Sequence, residues 1–93
     1  MTVNYAYPID PSWTSEELLA VMDLLTAVEK AYEGGIALSE AKARYQAFHE
    51  MGFSISDEKQ LNRDFQKVSG YSLHALLVAC REGQKFIRLK VGQ

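Results

Sequence analysis

The chain has 93 residues, a hydrophobic fraction of 47% and a net charge of −2. This composition supports one small domain over residues 1–93 and excludes a disordered chain. Cys80 is the only cysteine, which excludes an intrachain disulfide and a zinc site built from several cysteines. No apolar run approaches the ~20 residues that cross a bilayer, and no signal-peptide pattern opens the chain. We therefore expect no membrane segment and a cytoplasmic location.

Residues 1–13 are predicted to form an extended arm, because Pro8 and Pro11 disfavour helix at and before their own positions. Apolar and other residues alternate over residues 3–7, which suits a short strand. Trp13 is expected to anchor the arm against the fold just before the first helix.

The first helix is predicted to begin after Thr14 and to end at Gly34. Thr14 and Glu17 have the spacing of a capping box, in which a hydroxyl and a carboxylate each satisfy a backbone N–H group. Gly34 and Gly35 supply the stop, since glycine accepts the left-handed conformation that ends helices. Apolar residues recur along this segment at helical spacing: Leu18, Val21, Met22, Leu25, Val28 and Tyr32.

Three shorter helices are predicted to follow, each opened by a serine and closed near a glycine. They begin at Ser39, Ser56 and Ser72 and end near Gly52, Gly70 and Gly83. Their apolar faces comprise Ala41, Tyr45, Phe48 and Met51, then Leu61, Phe65 and Val68, then Leu73, Leu76, Leu77 and Cys80. Short helices need tertiary packing to persist, so residues 14–83 are expected to form one helical core.

Residues 84–93 form the tail, in which Ile87, Leu89 and Val91 alternate with basic residues. We hypothesise that this tail pairs with the N-terminal arm. The sequence therefore predicts an all-α fold, a compact array of four short helices with an extended N-terminal arm and a C-terminal tail of extended character.

The common catalytic and cofactor motifs do not occur in the sequence. Gly34 and Gly35 lack the spacing and the lysine of a phosphate-binding loop. His49 is isolated from other metal ligands. His74 and Cys80 lie six positions apart, so on one helix they point about 240° apart and form no nucleophile–base pair. We expect no catalytic site, no cofactor and no metal.

Glu29 falls among the apolar residues of the first helix when each residue is advanced by about 100°. A carboxylate there must be paired, hydrogen-bonded or neutralised, because an unsatisfied buried charge is costly. We favour a structural cap or salt bridge; the alternative is a ligand-facing carboxylate in a pocket between helices. Tyr32 is its neighbour one turn along in this candidate ligand or buried polar site.

Lys59, Arg63 and Lys67 recur every four residues and form one basic stripe along the third helix. Such a stripe is either a solvated face or a contact for anions such as nucleic-acid phosphates. The fourth helix is apolar almost all round, since Ala75 and Val78 lie beyond its main apolar face. It is therefore either central in the fold or part of a contact between subunits.

A set of short motifs occurs in order along the chain: Tyr7-Pro8-Ile9-Asp10, Trp13, Glu16-Glu17, Val28-Glu29, Ala31-Tyr32-Glu33-Gly34, Tyr45, Phe48, Glu58-Lys59, Phe65 and Ser69-Gly70-Tyr71-Ser72. In this order the chain resembles an uncharacterised family of short proteins from Gram-positive bacteria, typified by YktA. The resemblance covers nearly the full length and implies a compact helical fold with no known activity, cofactor or catalytic residue. The chain departs from the family at residues 52–57, where a Pro-Ser-Lys type segment is expected.

A second, local resemblance concerns residues 56–82. The run Leu61-Asn62-Arg63-Asp64-Phe65-Gln66-Lys67, followed by Gly70, Ser72, Leu77 and Arg81, is similar to the C-terminal helix-turn-helix of AraC-type regulators. This similarity implies that the third helix is a recognition helix whose basic stripe faces DNA. The spacing from residues 52–54 to Phe65 is two residues too long for that motif, and the chain is acidic overall.

These observations favour a small non-catalytic interaction or regulatory module with an unknown protein as its partner. The basic stripe and the apolar back of the fourth helix are the candidate surfaces, and self-association would use the fourth helix. The alternative is a nucleic-acid-binding protein that uses the segment at about residues 56–82.

Overall fold

The computed structural model describes residues 7–91, and the predicted all-α class with four helices is confirmed. In chain order the elements are α1 (Ser15–Glu33), β1 (Ile36–Ala37), α2 (Leu38–Glu50), α3 (Ile55–Ser69), α4 (Leu73–Glu82) and β2 (Phe86–Ile87). The strand predicted over residues 3–7 falls mainly on residues 1–6, which lie outside the described part. None of the described helices is both long and apolar enough to cross a membrane.

The capping box predicted at the start of α1 is confirmed. The Thr14 hydroxyl accepts the Glu17 backbone N–H at 3.1 Å, and the Glu17 carboxylate accepts the Thr14 N–H at 2.8 Å. The buried face of α1 is centred differently from the prediction, since Met22 and Tyr32 are only half-buried. Three alanines on this face let neighbouring elements approach closely. The buried face consists of Ala20, Val21, Leu24, Leu25, Ala27, Val28 and Ala31.

The start of α2 differs from the prediction by one residue. The helix begins at Leu38 rather than at Ser39, and no side chain caps it. Its first N–H group, on Leu38, instead donates to the carbonyl oxygen of Lys85 at 2.9 Å. A backbone contact with the tail therefore does the work expected of a serine cap.

The start of α3 was assigned to the wrong serine. The cap is Ser54, not Ser56, and the helix begins at Ile55. Ser54 has Asp57 three residues on, and the two exchange hydrogen bonds of 3.0 and 3.1 Å. This second capping box satisfies two backbone donors at once, which a cap at Ser56 cannot do because Lys59 follows it at the matching position.

The predicted start of α4 is confirmed, and three side chains support it. The Ser72 hydroxyl accepts the Ala75 N–H at 3.1 Å, and Oδ1 of Asn62 accepts the His74 N–H at 3.2 Å. The Tyr32 hydroxyl accepts the Ser72 N–H at 3.1 Å. Three backbone donors at this helix start are thus occupied, and Tyr32 and Asn62 fix α4 to α1 and α3.

α4 lies centrally, in contact with α1, α2, α3 and β2. Ala79 is buried, and Ala75 and Val78 are half-buried. The structure therefore confirms that α4 is central in the fold. Two residues predicted for the core lie at the surface instead, since Met51 is 36% exposed and Val68 is 43% exposed. Each stands at the C-terminal end of its helix, past the last buried residue of that helix.

The tail is extended where β2 pairs antiparallel with β1, with Ile36 opposite Ile87. Both isoleucines are buried, and the Leu89 N–H donates to the Ala31 carbonyl oxygen at 2.8 Å. Among residues 7–91 the partner of the tail is therefore β1. The predicted pairing with the N-terminal arm concerns the strand expected over residues 3–7, most of which lies outside the described residues. The chain leaving α4 returns beside the turn that follows α1, and these two short segments satisfy each other's backbone groups.

Candidate functional site

Tyr32, one residue of the predicted ligand site, supports the fold. Its ring stacks on that of Tyr71, with centroids 4.5 Å apart and planes inclined by 9°. Its hydroxyl accepts the Ser72 N–H at the start of α4. Both contacts join α1 to the turn between α3 and α4.

Glu29, the other predicted site residue, is half-buried rather than at the centre of the buried face of α1. Its Oε1 accepts the Tyr7 hydroxyl at 2.7 Å, and Glu33, one turn on, accepts the Tyr71 hydroxyl at 3.0 Å. Burial raises the pKa of both tyrosines, and the neighbouring carboxylates raise it further. These four residues and Tyr32 form a group that we name the tyrosine cluster. Its hydroxyls and carboxylates are partners for one another.

The residues of the basic stripe, Lys59, Arg63 and Lys67, are exposed along α3. Arg63 donates to Oε1 of Gln60 at 2.8 Å, and no carboxylate in residues 7–91 forms an ion pair with any of the three. Asp64 lies on the same helix and weakens the positive field there. The stripe is an open surface that an anion can approach.

A groove of about 360 Å³ lies between the end of the arm, the loop after α2, and α3. We name it the acidic groove, because among residues 7–91 three aspartates line it and no lysine or arginine does. Its lining residues are Pro8, Ile9, Asp10, Pro11, Trp13, Phe48, Phe53, Asp57, Gln60, Leu61 and Asp64. A groove with carboxylates of one sign around it favours a cationic occupant.

Local hydrogen bonds hold the three carboxylates of the acidic groove in place. Asp10 accepts the N–H and the hydroxyl of Ser12 at 2.9 and 2.8 Å, and these bonds lower the pKa of its carboxyl group. Asp57 caps α3, and Oδ1 of Asp64 accepts the Gln60 amide at 2.8 Å. Neutral donors restrict these carboxylates without cancelling their charge, so the groove stays negative at neutral pH.

The floor of the acidic groove is aromatic. The Trp13 ring meets Phe53 edge to face with centroids 5.7 Å apart, which confirms that Trp13 anchors the arm. Phe53 in turn stacks on the buried Phe48 at 4.7 Å. Ile9, on the arm, is 49% exposed at the groove. A cation with an apolar stem finds both an apolar surface and negative charge here.

The sequence did not point to the acidic groove, because its parts come from distant segments. Asp10 and Trp13 belong to the arm, Phe53 to the loop after α2, and Asp64 to the middle of α3. No spacing rule joins them. The only signal in the sequence was an aromatic residue in each of two segments, Trp13 at the end of the arm and Phe53 in the loop after α2. Within residues 7–91, no three histidine, cysteine or acidic side chains are grouped so that they could hold a metal ion.

The chain is similar to known proteins over most of its length. Residues 4–87 match the model of an uncharacterised protein family, UPF0223. The chain is 41% identical over 85 residues to a UPF0223 protein of Streptococcus gordonii, covering 91% of this chain and 92% of that protein. It is 42% identical over 91 residues to one of Streptococcus mutans, covering 97% and 99%.

A UPF0223 protein of Listeria monocytogenes is 41% identical over 75 residues, which covers 81% of this chain and 83% of that protein. The relatives come from Gram-positive bacteria, as the ordered motifs predicted. The chain therefore belongs to the uncharacterised protein family UPF0223.

Proposed function

We propose that this protein is a non-catalytic cytoplasmic interaction module that binds a basic, partly apolar segment of another protein in the acidic groove. The observation that carries this proposal is the meeting of three aspartates and an aromatic floor in one open groove whose lining contains no lysine or arginine. No lysine or arginine among residues 7–91 lines the groove, which supports a partner that brings the positive charge.

Physical complementarity defines the partner segment. Arginine and lysine combine an apolar stem with a charged head, so the stem can lie on Trp13 and Phe53 while the head approaches Asp64. Leucine or a similar side chain beside it packs against Ile9. Alternation of basic and apolar residues therefore suits this groove better than a purely basic segment does.

The test uses the full chain and two fluorescein-labelled peptides, one alternating Arg and Leu and one alternating Glu and Leu. We expect the Arg–Leu peptide to bind, in fluorescence anisotropy, with a dissociation constant of roughly 10–100 μM, and the Glu–Leu peptide not to bind. Raising the salt from about 0.05 to 0.5 M should weaken the binding severalfold, because exposed charges are screened.

Two matched pairs of variants assign the binding to the groove. Asp64→Asn should weaken the peptide about threefold or more, whereas Asp23→Asn, which removes an exposed carboxylate from α1, should leave it unchanged. Ile9→Ala should weaken it, whereas Val91→Ala at the exposed tail should not. Equal effects within either pair, or no binding of the Arg–Leu peptide, would remove the acidic groove as the partner site.

Two other outcomes would redirect the function. Salt-sensitive binding of mixed-sequence duplex DNA or single-stranded RNA that is lost in Arg63→Glu would favour the basic stripe, since Lys59, Arg63 and Lys67 are exposed and free of ion pairs within residues 7–91. Concentration-dependent sedimentation that is abolished by Val78→Asp in a folded variant would favour self-association through α4. Neither is expected if the acidic groove is the functional surface.

A further inference from the structure

A second cavity of about 480 Å³ lies between α2, α3 and α4, outside the acidic groove. Its volume falls within the ~300–1,000 Å³ of typical small-molecule sites. The lining residues are Lys42, Tyr45, Gln46, Glu58, Leu77, Cys80 and Arg81. We name it the Cys80 cavity, and three helices contribute to its walls.

Two cationic side chains line this cavity from different helices, Lys42 on α2 and Arg81 on α4. The charge of Lys42 acts on the Cys80 thiol, whose pKa it lowers while burial raises it more strongly. The charge of Arg81 acts on the Tyr45 hydroxyl, whose pKa it lowers against the larger effects of burial and Glu58. Both positive charges therefore reach the groups that form the walls. Neither cation forms an ion pair with a carboxylate in residues 7–91.

The one carboxylate in the lining is held by the wall itself. Oε1 of Glu58 accepts the Tyr45 hydroxyl at 3.0 Å, which joins α3 to α2. Tyr45, Leu77 and Cys80 are half-buried or buried and provide apolar surface between the two cations. The balance of charge in the lining is positive, in contrast to the acidic groove.

We propose that the Cys80 cavity binds a small organic anion, with its negative group between Lys42 and Arg81 and its apolar body against Tyr45, Leu77 and Cys80. The negative group is a carboxylate or a phosphate, since both are recognised by paired cations. This site is independent of the acidic groove, because it uses different residues and the opposite charge.

Cys80 provides a direct reporter of occupancy. It is the only cysteine of the chain, and its thiol is half-buried in the cavity wall. Because burial raises the pKa of the thiol, alkylation by neutral iodoacetamide should be slow near pH 7. The rate of alkylation should keep rising as the pH exceeds about 8.5, the usual pKa of a free thiol. A bound anion covers the sulfur and slows the reaction.

The experiment measures the rate of Cys80 alkylation in the full chain with and without three probes: 4-phenylbutyrate, octanoate and phenyl phosphate. At least one probe at about 10 mM should slow the reaction roughly tenfold or more, as expected for a dissociation constant of about 1 mM or tighter. The neutral analogue 4-phenyl-1-butanol should slow it less than about twofold, because it lacks the charge that Lys42 and Arg81 would bind.

Charge-removing variants locate the effect, and each is judged by its own ratio of rates with and without probe. Lys42→Gln and Arg81→Gln should each reduce the protection about threefold, and the double variant should abolish it. Lys59→Gln, which removes an exposed lysine of the basic stripe, should retain full protection.

The proposal is overturned if no probe slows alkylation, if the neutral alcohol protects equally, or if protection persists in the double variant. Backbone amide shifts confined to residues near Leu77 and Cys80 in a probe titration would confirm the position without relying on the thiol. Because Lys42 and Arg81 are exposed, these variants should fold normally, and a thermal melt checks this.

Discussion

The tyrosine cluster and the acidic groove are built from the same kinds of residue, but their carboxylates have different hydrogen-bond partners. In the tyrosine cluster each carboxylate accepts a phenol hydroxyl from the chain itself, at 2.7 Å to Tyr7 and 3.0 Å to Tyr71. In the acidic groove the carboxylates of Asp10 and Asp64 receive only neutral donors from residues two or four positions away. The carboxylates of the tyrosine cluster are therefore held by distant parts of the fold, whereas within residues 7–91 those of the acidic groove are held by nearby neutral donors, and we propose that they bind a partner.

The comparison shows that both residues of the predicted ligand site, Glu29 and Tyr32, take part in contacts that support the fold. Long-range contacts tie Tyr32 to Ser72 and Tyr71, across the turn between α3 and α4. Such contacts hold elements that are distant in sequence, so their loss should affect the whole fold. Changes at Ile9 or Asp64 in the acidic groove should affect binding and leave stability nearly untouched. Substitutions that separate stability from binding test this division.

Tyr32→Ala should have the largest effect on stability. The variant loses the stacked Tyr71 ring and the acceptor for the Ser72 N–H, so we expect the free energy of unfolding to fall by about 3 kcal/mol. Urea denaturation at neutral pH measures this change. Tyr32→Phe is the matched control, because it keeps the stack and should cost only about 1 kcal/mol. A loss below about 0.5 kcal/mol in the alanine variant would contradict a structural role for Tyr32.

Tyr71→Phe should have an intermediate effect. It removes the hydroxyl that donates to Glu33 at 3.0 Å while keeping the buried ring, so we expect a loss of about 1 kcal/mol. Glu33→Gln and the double variant complete a thermodynamic cycle on the same denaturation measurement. Strict additivity in that cycle would show that this hydrogen bond contributes nothing and that the cluster is not closed by its own partners.

The smallest predicted effects on the free energy of unfolding concern the two aspartates of α3 that line the acidic groove. Asp57→Ala should lower the free energy of unfolding by about 1 kcal/mol, because Asp57 belongs to the capping box with Ser54. Asp64→Ala should change it by less than about 0.5 kcal/mol, since its hydrogen bond to Gln60 is exposed. Urea denaturation compares the two directly, and equal losses would mean that Asp64 also maintains the fold.

Local signals were sufficient where the interacting groups are close in sequence. The capping box of α1 and the serine cap of α4 involve residues three positions apart, so spacing alone located both. For α3 the predicted cap at Ser56 is wrong, because Ser54 and Asp57 stand at the same spacing and form the capping box. The start of α2 depends on the Lys85 carbonyl, and no local pattern could have placed it.

The candidate sites were the least predictable part. The basic stripe could be predicted because Lys59, Arg63 and Lys67 recur at a fixed period along one helix. All three residues are exposed. The acidic groove joins the arm to α3, and the Cys80 cavity joins three helices, so their residues share no period. The sequence assigned Cys80 to the core face of α4, whereas its thiol is half-buried in a cavity wall.

The sequence by itself determined the all-α class, the order of the four helices, the glycine at the end of α1 and the family. These follow from apolar periodicity, caps and ordered motifs, which act over a few residues at a time. The tertiary structure alone decided that the tail pairs with β1, that a Cβ at Gly35 would collide with the Phe86 ring, and which carboxylates of distant segments line one groove. Those outcomes depend on which distant surfaces meet, and that depends on packing the whole core at once.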